Sequence, residues 1–273
     1  RLVGYNNLPQ EPLITKKRNS LDSLHQSVRS SFTSRGYSEV ITYSFIEDSA
    51  ASLIEPKMKK LVSVNNPISQ NMIIMRPSLL PGLLNTVSYN QNQGIDQIKI
   101  FEIGSIFQKS SINKIKETEL IGGLISGLKA KHSWSGSKRP LDFFDLKGDV
   151  ESILGDSSGY VFKKGELPYL HPGKTAFIVK GNNQIGYIGS LHPKLVDELD
   201  LKQDVHFFEM QVEKISLKRK VEFKNFSRFP LAQRDLSFIL DQGIPSSEVK
   251  GIISSKAGPN LKGINLFDVY EGK

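Results

Sequence analysis

Four carboxylates in one short stretch are the side chains with the clearest capacity for chemistry: Asp142, Asp145, Asp149 and Glu151. Helical spacing brings the first three close to one helix face, where carboxylates could hold a hard cation or act as a base. Acidic residues in a first helical turn also cap free amides and offset the helix dipole. The capping interpretation is the stronger of the two.

A second segment, Pro168-Tyr-Leu-His-Pro-Gly-Lys-Thr175, resembles a phosphate-binding loop. However, Pro168 stands where that loop has its first glycine, and the strand-like Ala-Phe-Ile-Val follows where a phosphate cradle needs a helix N-terminus. We therefore predict that a strand, at 175–180, follows this segment. His171-Pro172 and His192-Pro193 are typical of turns or helix entries, and we expect their rings to form local hydrogen bonds.

Metal-binding and nucleophilic motifs give no further candidates. Histidines occur at positions 25, 132, 171, 192 and 206 without metal-ligand spacing, and the absence of cysteine excludes thiolate catalysis, iron–sulfur clusters and cysteine zinc sites. No G-x-S-x-G or G-x-G-x-x-G motif occurs. From these motifs we predict no catalytic residue and no metal site.

Composition predicts a globular protein, with 38% hydrophobic and 23% charged residues. No apolar run reaches the roughly 18 residues that span a bilayer, and no signal-peptide pattern opens the chain, so we expect a cytoplasmic protein without membrane contact. The formal charge of +8 is compatible with a polyanionic partner and equally with a solvated basic surface. Because the sequence starts at Arg1 and stops just after a strand-like stretch, we interpret it as a fragment.

The periodicity predicts an α+β fold. Leu21, Leu24, Val28 and Phe32 recur at helical spacing, and Gly36 is suited to end this helix. A strand is predicted at 40–45, and a second helix from Pro77 or Ser78. Further strands are predicted at 98–107, 120–128, 175–180, 184–191 and 205–212, and further helices at 143–154 and 193–199. The result is an antiparallel sheet flanked by helices.

The last part of the sequence has its own order. After a charged stretch at 214–220, the pattern predicts a strand at 235–240, a helix at 246–257 closed by Gly258, and a strand at 263–270. These three elements form one βαβ-like unit.

Several short motifs carry a resemblance to a known family. Gly36-Tyr37-Ser38-Glu39-Val40-Ile41-Thr42 resembles motif 1 of class II aminoacyl-tRNA synthetases, which builds their dimer interface. Six further segments are similar in order and spacing to the β subunits of bacterial phenylalanine–tRNA ligase: Asn65-Asn66-Pro67-Ile68-Ser69, Met75 to Leu83, Phe101-Glu102-Ile103-Gly104, Phe144 to Gly148, Leu170 to Gly173 and Leu191-His192-Pro193. Arg228-Phe229-Pro230, Arg234-Asp235-Leu236 and Phe267 to Tyr270 resemble the start of that subunit's ferredoxin-fold anticodon-binding domain.

The resemblance implies three regions: residues 1–12 as the tail of an upstream domain, 13–217 as a class II synthetase-like core, and 218–273 as a truncated ferredoxin-like βαβ segment. It also implies that the core is non-catalytic. A working site has a motif 2 arginine that binds the ATP phosphate and stands two residues before a glutamate. In this sequence Ile100 stands two residues before Glu102, no motif 3 match occurs, and Tyr43 replaces the usual proline of motif 1.

The family is an α2β2 heterotetramer whose α subunits use ATP and magnesium to charge tRNA(Phe) with phenylalanine. The resemblance therefore implies a scaffold role, with the α subunit and tRNA(Phe) as partners and no cofactor in this part. We expect the helix bearing Leu21, Leu24, Val28 and Phe32 to lie in a subunit interface, and Arg228 and Arg234 to bind tRNA. Two alternatives remain: a catalytically active ATP-dependent ligase, and a stand-alone nucleic-acid-binding or regulatory module with this fold.

Overall fold

The computed structural model describes residues 20–54, 56, 60–111, 114–130, 139–154, 159–215, 230–241 and 243–270. The chain divides into two compact units, 1–220 and 221–273. The boundaries predicted after residues 12 and 217 fall outside the described residues, so they stay predictions.

The first unit is organised around a seven-stranded sheet. In chain order its strands are β1 (Ser38–Glu39), β5 (Gln97–Ser111), β6 (Lys114–Gly127), β7 (Tyr160–Lys164), β8 (Leu170–Lys180), β9 (Asn183–Leu191) and β10 (Val205–Gln211). The spatial order is β1-β5-β6-β10-β9-β8-β7. Only β1 and β5 run parallel, and every other pair is antiparallel. A small antiparallel sheet contains β2 (Phe45–Ile46), β4 (Ile74–Met75) and β3 (Val62–Ser63), in that order.

Helices cover both faces of the large sheet: α1 (Ser20–Thr33), α2 (Asp48–Ile54), α3 (Leu80–Asn92), α4 (Phe143–Leu154) and α5 (Pro193–Glu198). Alternation along the strands separates two buried clusters. Phe101 and Phe208 pack with α1 and α4, and we call this side the α1/α4 face. Their neighbours Ile100 and Phe207 pack with α3 on the opposite side, the α3 face. An α+β fold with an antiparallel sheet flanked by helices is confirmed.

Most predicted elements are found, with bounds that differ by a few residues. The helix predicted at 143–154 is α4, and the one predicted at 193–199 is α5. Gly181, with φ of 59°, opens the loop between β8 and β9, in which Lys180 pairs with Asn183. A positive φ at the first loop residue alone is the pattern of a type II′ turn.

The strand predicted at 40–45 is wrong in its extent. After β1 the backbone N–H of Val40 donates to the carbonyl of Phe101, but the N–H of Thr42 donates to the side chain of Glu102 at 3.2 Å. The backbone ladder therefore ends before Thr42, and the chain crosses to the small sheet at Phe45. The prediction also missed α2, β3, β4 and β7.

In the second unit, helix α6 spans Ser246–Ala257 and is followed by Gly258 at φ of 72°, as predicted. The strands predicted at 235–240 and 263–270 are wrong, because no strand is present in residues 230–241 and 243–270. A strand needs a hydrogen-bonded neighbour. In a ferredoxin-like split βαβ unit, the two strands joined by the helix are not neighbours of each other, so they cannot pair directly.

Candidate functional site

The strongest candidate site is a row of two glutamates and a tyrosine, with a glycine between the glutamates, across the centre of the α3 face. In register, Glu102 of β5 lies opposite Gly122 of β6, Gly122 lies opposite Glu209 of β10, and Glu209 lies opposite Tyr187 of β9. We call these four residues the central row. Two carboxylates on either side of one glycine are an arrangement that could support acid–base chemistry, provided that a substrate can reach them.

Glu102 is bound to a buried arginine. Its Oε1 accepts from Nη1 of Arg76 at 2.7 Å, and its Oε2 accepts from the hydroxyl of Thr42 at 2.8 Å. Arg76 also donates through Nε to the carbonyl of Ser105 at 2.9 Å. The two side chains are only 4% and 3% exposed. A buried guanidinium and carboxylate each need the other's charge, so neither is available to an external ligand.

Glu209 has neutral hydrogen-bond donors instead of a cation as its direct partners. It accepts from the backbone N–H of Leu79 at 2.7 Å, from the hydroxyl of Tyr187 at 2.6 Å and from the hydroxyl of Ser78 at 3.1 Å. Burial raises the pKa of the Glu209 carboxyl, although these hydrogen bonds and the charge of Arg76 act in the opposite direction. Burial and the adjacent Glu209 also raise the pKa of Tyr187 well above its ordinary value.

The chain itself covers the central row. Residues 76–80, which we call the cover segment, supply donors to both carboxylates and lead directly into α3. A Cβ at Gly122 would lie 3.1 Å from Cδ1 of Leu79, so the glycine allows the segment to lie flat on the sheet. Ile100 is also buried, beside α3, in the apolar cluster of the α3 face. The α3 face is thus filled with side chains at the place where a substrate would have to enter.

The carboxylates of α4 form a helix cap, as predicted. The N–H of Asp145 donates to Oδ1 of Asp142 at 2.9 Å, and the N–H of Asp142 donates to Oδ2 of Asp145 at 3.1 Å. This reciprocal pair is a capping box. Burial acts to raise the pKa of Asp145, but hydrogen bonds from Arg139, Lys129 and the N–H of Asp142 outweigh it and hold the pKa well below its usual range.

The other two acidic residues of α4 also have partners. Asp149 accepts from the hydroxyl of Tyr37 at 2.9 Å and lies 3.3 Å from Nζ of Lys99. Glu151 pairs with Lys147 one turn away. Across the ranges that the structure describes, no group of three or more His, Asp or Glu side chains could hold a metal ion.

Strand β8 begins at Leu170, inside the segment that resembles a phosphate loop, and continues through the strand predicted at 175–180. Nδ1 of His171 accepts from the N–H of Gly173 at 3.0 Å, and Nδ1 of His192 accepts from the N–H of Lys194 at 3.2 Å, where His192 caps α5. The predicted local hydrogen bonds of both histidines are confirmed.

The predicted interface residues of α1 point mainly into the chain's own core. Val28 and Phe32 are fully buried, and Leu24 packs against the same cluster. Their assignment to a subunit interface stays a prediction. The side chain of Leu21 lies outside the described residues. Apolar surface is found instead just beyond β1, where Ile41 is 92% and Tyr43 is 73% exposed. The helical period identified the core face correctly, but it could not show which molecule covers that face.

Of the two arginines predicted to bind tRNA, Arg228 lies outside the described residues. Arg234 is exposed, and its Nη1 donates to the carbonyl of Gln233 at 3.1 Å. Its role stays a prediction.

Sequence reasoning missed Glu209 and Tyr187 as members of a site. The available signal was a single acidic residue inside the strand 205–210, whose other residues are apolar apart from His206.

Comparisons with known proteins agree on one family. The family described as "Phenylalanyl tRNA synthetase beta chain CLM domain" matches residues 6–212, and "Ferredoxin-fold anticodon binding domain" matches residues 227–273. A phenylalanine–tRNA ligase beta subunit of Photorhabdus laumondii is 39% identical over the whole chain, and one of Pseudomonas fluorescens is 35% identical. This chain spans 35% of the length of each relative.

A solved structure supports the fold. The structure of Desulfitobacterium hafniense PylSc, a pyrrolysyl tRNA synthetase, is similar with a TM-score of 0.56 and 16% sequence identity. The similarity covers 74% of this chain and 67% of that chain. At this identity it shows the fold alone. The prediction of a class II synthetase-like fold is confirmed. Every helix among the described residues is too short or too polar to span a bilayer.

Proposed function

Because the chain belongs to the phenylalanyl-tRNA synthetase β chain family, we propose that it forms the non-catalytic core of a phenylalanine–tRNA ligase β subunit. In this proposal it supports the α subunit and tRNA(Phe), in the cytoplasm, while tRNA is charged with phenylalanine. The observation that carries the proposal is the filled α3 face. Both carboxylates of the central row are already bound to groups of the same chain, and the cover segment lies over them.

Chemistry at the central row would require large rearrangement. To expose Glu209, the chain would have to break its bonds to Leu79, Ser78 and Tyr187, and it would have to lift α3 from a buried apolar cluster. Removing buried leucines from such a cluster costs about 2–5 kcal/mol each. We therefore propose that ATP and magnesium, which the whole enzyme uses, bind outside this chain, on the α subunit of an α2β2 assembly.

We propose that the α-subunit contact includes the edge of the large sheet at Ile41 and Tyr43. Both apolar side chains are exposed, while Val40 packs inward and Thr42 binds Glu102. Alternate residues of this extended segment therefore face the core and the surface. Exposed apolar residues beside an edge strand are a typical feature of a protein interface.

Two experiments test the proposal. The β subunit that contains this chain should co-purify with its α subunit, and phenylalanine-dependent ATP–pyrophosphate exchange should occur in the complex but not with β alone. Exchange by β alone would contradict the non-catalytic role.

The double substitution Ile41→Glu and Tyr43→Glu should reduce α-subunit recovery at least tenfold, because it places two charges in an apolar contact. Folding stability should change by less than about 0.5 kcal/mol, since both positions are on the surface. Tyr89→Glu, at an exposed position of α3, is the matched control. Unchanged recovery of the α subunit with the double variant would place the contact elsewhere.

A further inference from the structure

The hairpin of β5 and β6 extends beyond the rest of the large sheet. On the side of β6, pairing with β10 ends where Gln211 meets Leu120, and on the side of β5, pairing with β1 covers only Ile100 and Phe101. The two hairpin strands continue to pair with each other as far as Ser111 and Lys114. Residues 105–111 and 114–119 therefore form a two-stranded ribbon, which we call the projecting ribbon. On its β5 edge, the N–H groups of Phe107 and Lys109 donate to the carbonyls of Arg76 and Lys60.

The end of the projecting ribbon is basic. The stretch 108–116 contains Lys109, Lys114 and Lys116 and no acidic residue. All three lysines are exposed. The N–H of Lys109 donates to the carbonyl of Lys60 at 2.9 Å, which brings a fourth exposed lysine beside the ribbon.

These lysines differ from several other cations of the first unit. Lys99, Lys129, Arg76 and Arg139 each lie within 3.3 Å of a carboxylate oxygen. None of the four lysines at the ribbon pairs with a carboxylate among the described residues. Of the two acidic residues at the base of the ribbon, Glu117 is exposed, and Glu119 pairs with His25 at 2.9 Å.

The ribbon geometry spaces the charges regularly. Lys114 and Lys116 are two residues apart on one strand, so they share a face and their Cα atoms are about 7 Å apart. Lys109 lies opposite Ile115 and therefore emerges on the other face. A narrow, two-sided basic projection fits along a nucleic-acid backbone, where phosphates repeat at a similar separation and lysine binds each as a point charge.

We propose that the projecting ribbon binds the phosphate backbone of tRNA through Lys109, Lys114 and Lys116, with Lys60 beside them. The inference rests on the proposed function, because it takes tRNA as the ligand. It adds a contact surface in the first unit to the two arginines, Arg228 and Arg234, that the sequence predicts in the second unit. Phosphate contacts of this kind position the nucleic acid and do not read its sequence.

The test uses the α–β complex and the triple variant Lys109→Gln, Lys114→Gln and Lys116→Gln. The dissociation constant for tRNA(Phe) is measured by filter binding across a series of salt concentrations. Each lost phosphate contact should reduce the slope of log Kd against log salt by about 0.7 to 0.9, so the variant should lose roughly 2 to 3 in slope. At about 100 mM salt we expect Kd to rise about tenfold. The turnover number at saturating tRNA should not change, because the ribbon takes no part in catalysis.

The matched control replaces the same number of exposed lysines at the far edge of the sheet: Lys163→Gln, Lys164→Gln and Lys174→Gln. It should keep the wild-type slope. An equal loss of slope in the control would overturn the inference, because only total charge would then matter. A wild-type slope in the ribbon variant, measured on the intact α–β complex, would also overturn it. If the wild-type complex did not bind tRNA(Phe), the proposed function itself would fail.

Discussion

On the α1/α4 face of the large sheet, aromatic rings fill the centre of the core. The ring of Phe32 stacks on Phe101 with centroids 5.1 Å apart and on Phe208 with centroids 5.4 Å apart. On the α3 face, the next residues of the same two strands are Glu102 and Glu209, which bind Arg76 and the start of α3. One sheet therefore has two cores, one apolar and one organised around buried carboxylates.

The difference between the two faces shows how each is stabilised. Aromatic packing spreads its free energy over many contacts and depends on the shape of the side chains. The central row depends on a few directional hydrogen bonds, and a change that leaves one buried partner unsatisfied has a large cost. The two faces should therefore respond differently to substitutions that remove volume and to substitutions that remove charge.

The largest effect is expected from Phe208→Ala on the α1/α4 face. Phe208 is fully buried, and its ring fills the space above Gly123, which has no side chain to move into the gap. We expect the free energy of unfolding to fall by about 4 to 5 kcal/mol, at the upper end of the range for buried phenylalanines. Urea unfolding followed by far-ultraviolet circular dichroism measures the change. A loss below about 2 kcal/mol would show that the apolar face tolerates a cavity.

A smaller loss, about 3 kcal/mol, is expected from Glu102→Gln. The substitution keeps the size of the side chain but leaves the Arg76 guanidinium buried without a countercharge. Arg76 keeps its bond to the carbonyl of Ser105, which limits the loss. The same urea experiment applies. The comparison between the faces would not hold if this substitution cost less than about 1 kcal/mol.

Glu209→Gln should cost about 1 to 2 kcal/mol, less than Glu102→Gln. Its direct partners are neutral, and the hydroxyls of Ser78 and Tyr187 can reorient to accept from the new amide. Measured side by side, the two substitutions separate a charge-paired carboxylate from one held by neutral donors. Equal costs would contradict that distinction.

The pH dependence gives the smallest and most specific effect. The raised pKa of Glu209 gives a stabilisation that is fully present below about pH 4.3, the ordinary value for an unfolded glutamate, and is lost as the pH rises. The lowered pKa of Asp145 has the opposite sign: its stabilisation is present above about pH 3.9 and is lost as the pH falls.

We therefore expect the cost of Glu209→Gln to shrink between pH 4 and pH 7, and the cost of Asp145→Asn to shrink between pH 7 and pH 3. Urea unfolding of both variants and the wild-type chain at several pH values measures both trends. The direction of the Glu209 shift would be contradicted if the cost of Glu209→Gln rose between pH 4 and pH 7.

The sequence predicted the long elements well. A helix of several turns, or a strand of several residue pairs, repeats its pattern of apolar residues often enough to be recognised. Helix α4 and strand β10 are examples, and the capping box of Asp142 and Asp145 is readable because its residues are close in sequence. Strands β3 and β4 contain two residues each, too few for any alternation to appear.

The central row could not be predicted for a different reason. Glu102 and Arg76 are 26 residues apart, and Glu209 and Ser78 are 131 residues apart. Their pairing depends on the strand order, which the pattern of a single sequence does not contain. The segments 235–240 and 263–270 show the converse case, in which strand-like residues remain unpaired because pairing requires a neighbour.

The strand order also has a consequence for how the chain folds during synthesis. Strands β5 and β6 form one hairpin and β7, β8 and β9 form a second group, but the two groups meet only through β10, the last strand of the sheet to leave the ribosome. Until then, the inner edges of β6 and β9 expose unpaired backbone groups beside apolar side chains, a state prone to aggregation. The contacts that join β10 to β6 span about 80 residues or more, and such non-local pairing slows folding. The nascent core therefore depends on a late step for its protection, and it is during this interval that chaperones have the most surface to bind.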